Sequence, residues 1–200
     1  MAFDCVGKEC VLKFKKENGG MNMSKEPIDF SLEELLVLAE GEQRNVQYAV
    51  GFYYENGVKT QVDLEKAAQW YKKAADQGHE EAQLHLGLLY AQGKGVEQDY
   101  QKAVSWLRRA ANQGNANAQY NMGRCYEEGL GVSKDESKAF SWFLKAAKQN
   151  EYRAICCVGL YYMSGICVEK DEKKAFSYFE KAANAEIPIA QYNLAVMYQY

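Results

Sequence analysis

The residues best suited to chemistry in this sequence are its cysteines and histidines, and their spacing favours neither a catalytic nor a metal site. The 200 residues include six cysteines and two histidines. The cysteines follow no regular pairing, which indicates free thiols in a reducing compartment. Cys5 and Cys10, with four residues between them, lie at the long limit for a zinc half-site. We therefore expect no metal and no cofactor.

Two further motifs resemble parts of active sites but lack what those sites require. Glu127 and Glu128 are adjacent, whereas the paired carboxylates of a glycoside hydrolase face each other across the substrate. The Gly93–Gly95 segment is Gly-Lys-Gly, and no Gly-Lys-Ser/Thr follows it as a phosphate-binding loop requires. No residue is therefore predicted to be catalytic.

Charge and hydropathy exclude several classes of protein. The net charge is −3, whereas a nucleic-acid surface needs a basic face that neutralises phosphates. No run approaches the roughly 18 apolar residues of a membrane-spanning helix. The first twenty residues lack the apolar core and cleavage site of a secretory signal. We expect a cytoplasmic protein that binds neither nucleic acid nor membrane.

A 36-residue repeat positions the side chains of this chain. Tyrosine recurs at that interval at Tyr54, Tyr90, Tyr126, Tyr162 and Tyr198. Glycine does so at Gly51, Gly87, Gly123 and Gly159, and aspartate at Asp63, Asp99, Asp135 and Asp171. With Asn45 as repeat position 1, complete repeats cover 45–80, 81–116, 117–152 and 153–188, and a fifth begins at Ile189. Internal self-similarity of this length is typical of repeat architectures.

Each repeat predicts two helices joined by a loop. Apolar residues at positions 2, 6, 9 and 10 mark a first helix, and those at 23, 26, 27 and 30 mark a second. Aspartate at position 19 is expected to cap the second helix, and glycines at 13 and 15 to end the first. Glycine at position 7 predicts close approach by a neighbouring helix. Alanine pairs are its expected partners, at 74–75, 110–111, 146–147 and 182–183.

The segment Ala82–Gly114, AQLHLGLLYAQGKGVEQDYQKAVSWLRRAANQG, resembles the Sel-1-like repeat, a relative of the tetratricopeptide repeat. The resemblance extends over about 45–200. It implies an all-α, right-handed αα superhelix and a role as a scaffold or adaptor for a protein or peptide partner. Lys59 and Cys167 replace the second loop glycine, so the first and fourth loops are expected to differ in shape.

The ends of the repeat array predict the domain layout. Ser31 and Glu34 read as a capping box before a helix of about 32–41. We expect a loose tail over 1–24, a capping helix within 25–44, four repeats over 45–188 and the first helix of an incomplete repeat over 189–200. Solenoids need polar caps, and this sequence ends on an apolar helix. A longer natural chain is the preferred explanation, and a homodimer through this edge is the alternative.

The resemblance places partner binding on the first helices, at repeat positions 1, 4, 8, 11 and 12. The residues expected to line that groove are Tyr48, Phe52, Glu55, Leu84, Leu88, Tyr120, Arg124, Glu127, Glu128, Leu160 and Tyr192. They form a tyrosine-rich apolar floor with an acidic patch, which suits a peptide with apolar anchors and basic residues. Alternatively, individual side chains pack between first helices, and Arg124 simply pairs with Glu127 or Glu128. Replacing Tyr120 and Arg124 together is expected to abolish partner capture without lowering the melting temperature.

One branch of the resembling family, the cysteine-rich Sel-1-like proteins, suggests an enzyme acting on β-lactams or cell-wall peptides. That branch carries a disulfide in each repeat between cysteines about eight residues apart. Cys156 would need its partner near Lys148, and none is present. His85 and Cys157 lie two repeats apart, which gives no nucleophile–base pair. A binding protein is therefore preferred to this enzyme.

Overall fold

The computed structural model describes residues 31–41, 43–185 and 187–198, and α-helices are the only regular elements in these ranges. The tail expected over 1–24 lies outside the described residues. In chain order the helices are α1 Leu32–Ala39, α2 Arg44–Asn56, α3 Leu64–Asp76, α4 Glu80–Gln92, α5 Tyr100–Gln113, α6 Ala116–Glu128, α7 Glu136–Lys148, α8 Tyr152–Ser164, α9 Glu172–Ala183 and α10 Pro188–Tyr198.

The helices fall into two compact units, Met1–Gln98 and Asp99–Tyr200. The first unit holds α1 to α4, and each of these helices packs against the next in the chain. The second unit holds α5 to α10, which pack in the same sequential manner. Even-numbered helices from α2 onward are the first helices of repeats, and odd-numbered helices from α3 onward are the second helices. The expected all-α repeat fold is confirmed.

Local capping explains where the helices begin. The carboxylates of Asp63, Asp99, Asp135 and Asp171 each accept a hydrogen bond from the backbone N–H three residues later, at 2.9–3.0 Å. This bond satisfies one of the free N–H groups in the first turn of a helix. The capping box at Ser31 and Glu34 is also present, with N–O distances of 2.8 and 3.1 Å. Both expectations are confirmed.

Left-handed residues end the first helices. Gly57, Gly93, Gly129 and Gly165 are the C-caps, with φ between 64° and 75°. Two residues later Gly95 and Gly131 also have positive φ, and so do Lys59 at 55° and Cys167 at 53°. The first and fourth loops were expected to differ from the others here, but the backbone conformation at this residue is the same in all four loops. Cys167 lies against the first residue of α7, with its Sγ 3.5 Å from the carbonyl oxygen of Glu136.

The glycine at repeat position 7 makes room for a ring of the second helix, so the expected alanine partners are wrong. A Cβ on Gly123 would lie 2.5 Å from Cε1 of Phe143, and a Cβ on Gly159 would lie 2.7 Å from the same atom of Phe179. Both rings are completely buried. The glycine thus lets α6 pack on α7, and α8 on α9, through a ring inserted between the helices.

Glutamine at repeat position 3 joins consecutive repeats. The side-chain amide of Gln119 donates to the carbonyl oxygen of Ala111 at 3.1 Å, near the end of α5. Its own Oε1 accepts from Nε2 of Gln149 at the end of α7, at 2.9 Å. In the first unit Gln83 donates to Ala75 in the same way, at 3.1 Å. These carbonyls lie in the last turn of a helix, and each also accepts a backbone bond, Ala111 from Gly114 at 3.2 Å and Ala75 from Gly78 at 2.9 Å.

Candidate functional site

The first helices of the second unit lie side by side with equivalent repeat positions adjacent. Arg153 and Asn117 both occupy repeat position 1, and the Arg153 guanidinium donates to Oδ1 of Asn117 at 2.7 Å. The side chains that follow on α6 and α8 therefore belong to one surface. We call it the first-helix surface and define it as Tyr120, Arg124, Glu128, Arg153 and Leu160.

Tyr120 is held between two neighbours on this surface. Its ring centroid lies 5.8 Å from that of Phe143, and the Arg153 guanidinium lies over the Tyr120 ring, 4.4 Å from its centroid. Burial raises the pKa of the phenol. Because the ring is half-buried in these contacts, replacing Tyr120 should also lower stability. Arg153 is not among the residues predicted to line the groove, although it occupies repeat position 1, which was predicted to face the groove.

The expected acidic patch divides into two different carboxylates. Glu128 is exposed and forms an ion pair with Arg124 one helical turn away, which agrees with the alternative reading of that arginine. Glu127 is half-buried and shares the hydroxyl proton of Tyr161 with Glu136, at O–O distances of 3.2 Å and 2.7 Å respectively. Burial raises the pKa of Glu127, and the nearby Glu136 carboxylate adds to the effect. Of the two carboxylates, only that of Glu128 is therefore exposed, and it is paired with Arg124.

Two apolar side chains named from the sequence are exposed on first helices. Leu160 on α8 is 37% exposed, whereas Ile155 and Val158 on the same helix are completely buried. Tyr192 on α10 is 67% exposed, and Ile189, three residues earlier on the same helix, is 52% exposed. These are positions at which a partner would cover apolar surface.

In the first unit, the groove residues are placed at different depths. Tyr48 and Leu84 are only 2% and 5% exposed, so they offer almost no surface to a partner. The Tyr48 ring stacks on the imidazole of His79 at 4.5 Å. Phe52 and Leu88 are half-buried and retain some accessible surface. At repeat position 4 of this unit, packing between helices is therefore the main role of the side chain.

The carboxylate of Glu55 is held by two neighbouring side chains. Its Oε2 accepts from the hydroxyl of Tyr71 at 2.5 Å and contacts Nδ1 of His85 at 2.9 Å. Burial acts to raise the pKa of Glu55, but the hydrogen bonds from His85 and Tyr71 outweigh it, and the net shift is downward. The sequence placed His85 on a first helix but gave no signal that it would meet Glu55 of the preceding repeat.

The described cysteines are free thiols. Burial raises the pKa of Cys125 and Cys156 to about 11 and that of Cys157 to about 12. At neutral pH these groups are protonated, and a thiol is a much weaker nucleophile than a thiolate. Among residues 31–41, 43–185 and 187–198, no group of three or more His, Cys, Asp or Glu side chains is arranged to hold a metal ion.

None of the described helices combines the length and the apolar composition that crossing a membrane requires.

The comparisons with known proteins agree with this architecture. The Sel1 repeat model matches residues 45–79, 80–115, 116–151, 154–186 and 188–200. A solved Sel1 repeat protein from Oxalobacter formigenes is 35% identical with a TM-score of 0.79, over 84% of this chain and 66% of that one. The c5321 protein, a protective antigen of uropathogenic Escherichia coli with an SLR fold, is 32% identical with a TM-score of 0.81, over 96% of this chain and 40% of that one.

A yeast relative matches over a short stretch. Activator of C kinase protein 1 of Saccharomyces cerevisiae is 43% identical over 44 residues, which are 22% of this chain and 7% of that protein. The chain therefore spans less than a tenth of this curated relative and no more than two thirds of the two solved structures. The resemblance stated from the sequence is confirmed: the chain belongs to the Sel1 repeat family, whose helical-repeat members are generally scaffolds for protein–protein interaction.

Proposed function

We propose that this chain is a non-enzymatic adaptor that binds a segment of a partner protein along the first-helix surface of its second unit. The observation that carries the proposal is the exposed Leu160 on α8, on the surface that also bears the Arg124 and Arg153 guanidiniums. Single exposed leucines are ordinary on protein surfaces. A leucine accompanied by arginine and tyrosine, however, has the composition from which interface hot spots are built.

The surrounding charges support a particular kind of partner segment. Arg124 and Glu128 already neutralise each other, so the surface has little net charge at that point. Leu160 calls for an apolar anchor in the partner. The ion pair with Arg124 holds the Glu128 carboxylate in place, so that a basic partner residue would add a charge-assisted hydrogen bond to a positioned acceptor, and the half-buried Glu127 would lie behind it. An amphipathic segment with one apolar and one basic side chain fits this surface.

The first unit offers an equivalent but shallower contact. Phe52 and Leu88 are half-buried at repeat position 8, and Glu55 is fixed by Tyr71 and His85 at position 11. Because the carboxylate is already held in place, less side-chain conformational entropy is lost when a cation of the partner binds it. We assign this patch a partner-binding role of its own. The buried Tyr48 supports it, because its ring centroid lies 5.6 Å from that of Tyr71 and 5.8 Å from that of His85.

The test is capture of a partner by the full chain and by a surface variant. Extract from the native host is passed over immobilised wild-type chain, and bound proteins are quantified by mass spectrometry. The surface variant carries Arg124→Ala and Leu160→Ser, and it leaves the half-buried Tyr120 in place. Because hot-spot truncations cost about 2 kcal/mol or more, we expect at least tenfold weaker capture of the specific partner.

A matched control keeps this comparison interpretable. Lys148→Ala and Ile166→Ser also remove one exposed cation and one exposed branched aliphatic side chain, but they lie at the end of a second helix and in a loop. Capture should be unchanged in this control. Equal capture by the surface variant and the wild type, with both variants folded by circular dichroism, would contradict the proposal.

A further inference from the structure

A polar cavity on a second helix is separate from the first-helix surface. Its volume is about 460 Å³, and it lies between α5 and the loop that joins α6 to α7. The lining residues are Gln101, Val104, Ser105, Arg108, Arg109, Asn112, Gly131 and Val132. All of them belong to the second unit. The proposed adaptor function does not use any of these residues.

The wall of the cavity is fixed by a close approach of two backbones. Gly131 has φ 66°, and a Cβ at this residue would overlap the carbonyl group of Tyr100 in the first turn of α5. Only glycine allows this contact, so the loop lies directly against the helix. The cavity therefore has one rigid helical side and one wall positioned by backbone packing.

Hydrogen-bond donors line the helical side as a stripe. Gln101, Ser105, Arg108 and Asn112 are spaced i, i+4, i+7 and i+11, which places them on one face of α5. Eleven residues of helix at 1.5 Å each make the stripe about 16 Å long. Arg109 adds a second guanidinium, which also lies 4.4 Å over the ring of Trp106. Of the residues that line the cavity in the described part of the chain, none carries a carboxylate.

The equivalent stripe on α3 shows which charges α5 keeps and which it lacks. One repeat earlier, the same positions carry Glu65, Gln69, Lys72 and Asp76. There Nζ of Lys72 forms an ion pair with Asp76 at 2.7 Å. In α5 both acids are replaced by amides. Asn112 stands at the position of Asp76, so Arg108 has no acid there to neutralise it. The α5 stripe thus keeps the cations of the repeat and loses its anions.

We propose that the α5 cavity is a docking site for an acidic peptide segment. At about 3.3 Å per residue, an extended segment of about five residues matches the length of the stripe. Arg108 and Arg109 would bind carboxylates, where bidentate hydrogen bonds are strong and directional. Gln101, Ser105 and Asn112 would donate to the remaining carboxylate or main-chain oxygens. The occupant is an acidic stretch of a protein, with at least two Asp or Glu side chains.

The binding test uses fluorescein-labelled pentaglutamate and the full chain, followed by fluorescence anisotropy at low ionic strength. The test variant is Gln101→Glu with Asn112→Asp, which transfers the α3 acids to α5. These residues are compatible with the fold, because α3 carries them at the same repeat positions. We expect at least tenfold weaker binding by the variant and weaker wild-type binding as salt screens the charges. Pentaglutamine should not bind.

The control has the same change in net charge elsewhere in the unit. Ser177→Glu with Gln191→Glu adds two acids at exposed positions of α9 and α10, and it should weaken binding less than twofold. Equal weakening in the control would show a general charge effect and overturn the proposal. So would wild-type binding of pentaglutamine as tight as that of pentaglutamate, or no pentaglutamate binding at millimolar peptide. Tenfold tighter binding of a five-residue phosphoserine peptide would reassign the cavity to phosphorylated partners and equally overturn it.

Discussion

The contact between Gly123 and Phe143 gives a quantitative test of how the repeats are packed. In a Gly123→Ala variant the new Cβ would lie 2.5 Å from the ring, whereas ordinary contact begins at 3.4 Å, so a shift of 0.9 Å is needed. Phe143 is completely buried and has no free space toward solvent. Overpacking of this kind costs about 1–3 kcal/mol, and replacing a helical glycine by alanine returns about 1 kcal/mol. The net change is a destabilisation of up to about 2 kcal/mol.

A double-mutant cycle separates the two contributions. Phe143→Leu removes the ring, and the second repeat carries Leu107 at this position. In the leucine background, Gly123→Ala should be neutral or should stabilise by up to about 1 kcal/mol, because only the helix propensity remains. Urea unfolding of all four proteins, followed by circular dichroism, gives the coupling free energy. An identical effect of Gly123→Ala in both backgrounds would refute the packing argument.

Glu55 and Glu127 occupy the same repeat position, and their pKa values shift in opposite directions. The lowered pKa of Glu55 means that its contribution to stability is present above an unfolded pKa of about 4.3 and is lost as pH falls through the folded value. Glu55→Gln should therefore destabilise the chain at pH 7 and flatten its loss of stability in acid. The raised pKa of Glu127 means that its contribution to stability is present below the unfolded pKa of about 4.3 and is lost as pH rises through the folded value. Glu127→Gln should therefore stabilise the chain at pH 7. Urea midpoints between pH 3 and 7 that move in the same direction for both variants would contradict these two predictions. Cys157, with its pKa raised to about 12 by burial, should react with iodoacetamide at pH 8 about fiftyfold more slowly than an unperturbed thiol of pKa about 8.5, because its smaller thiolate fraction outweighs the higher nucleophilicity of a more basic thiolate. Equally fast labelling of Cys157 in the native and the urea-unfolded chain, measured by mass spectrometry, would contradict this.

The features that sequence reasoning predicted well are local ones. The Asp135 cap and the capping box at Ser31 depend on residues three positions apart, and the left-handed glycines depend on their own φ. Such features follow from helix chemistry without knowledge of the tertiary contacts. The recurrence of 36 residues then repeats each local prediction along the chain. For these reasons the family, the helix pairs and their ends were accessible from the sequence.

The features that it missed depend on which helix faces meet. The partner of Gly123 proved to be a ring, because the crossing of α6 and α7 brings position 27 against position 7. Glu55 meets His85 and Glu127 meets Tyr161 only through contacts between neighbouring repeats. Equal repeat positions therefore have different surroundings when their neighbours differ. These contacts join adjacent repeats, so the pattern within a single repeat could not predict them.

Site-specific photocrosslinking from Leu160 tests the adaptor proposal most directly. A photoreactive phenylalanine analogue replaces Leu160 in one variant and the somewhat more exposed loop residue Ile166 in another, both in the full chain within the native host. We expect one partner protein to crosslink from Leu160, Arg124→Ala to reduce the yield of that crosslink at least tenfold, and the same protein not to crosslink from Ile166. Crosslinking of the same protein in equal yield from both sites, or none from Leu160, would contradict it.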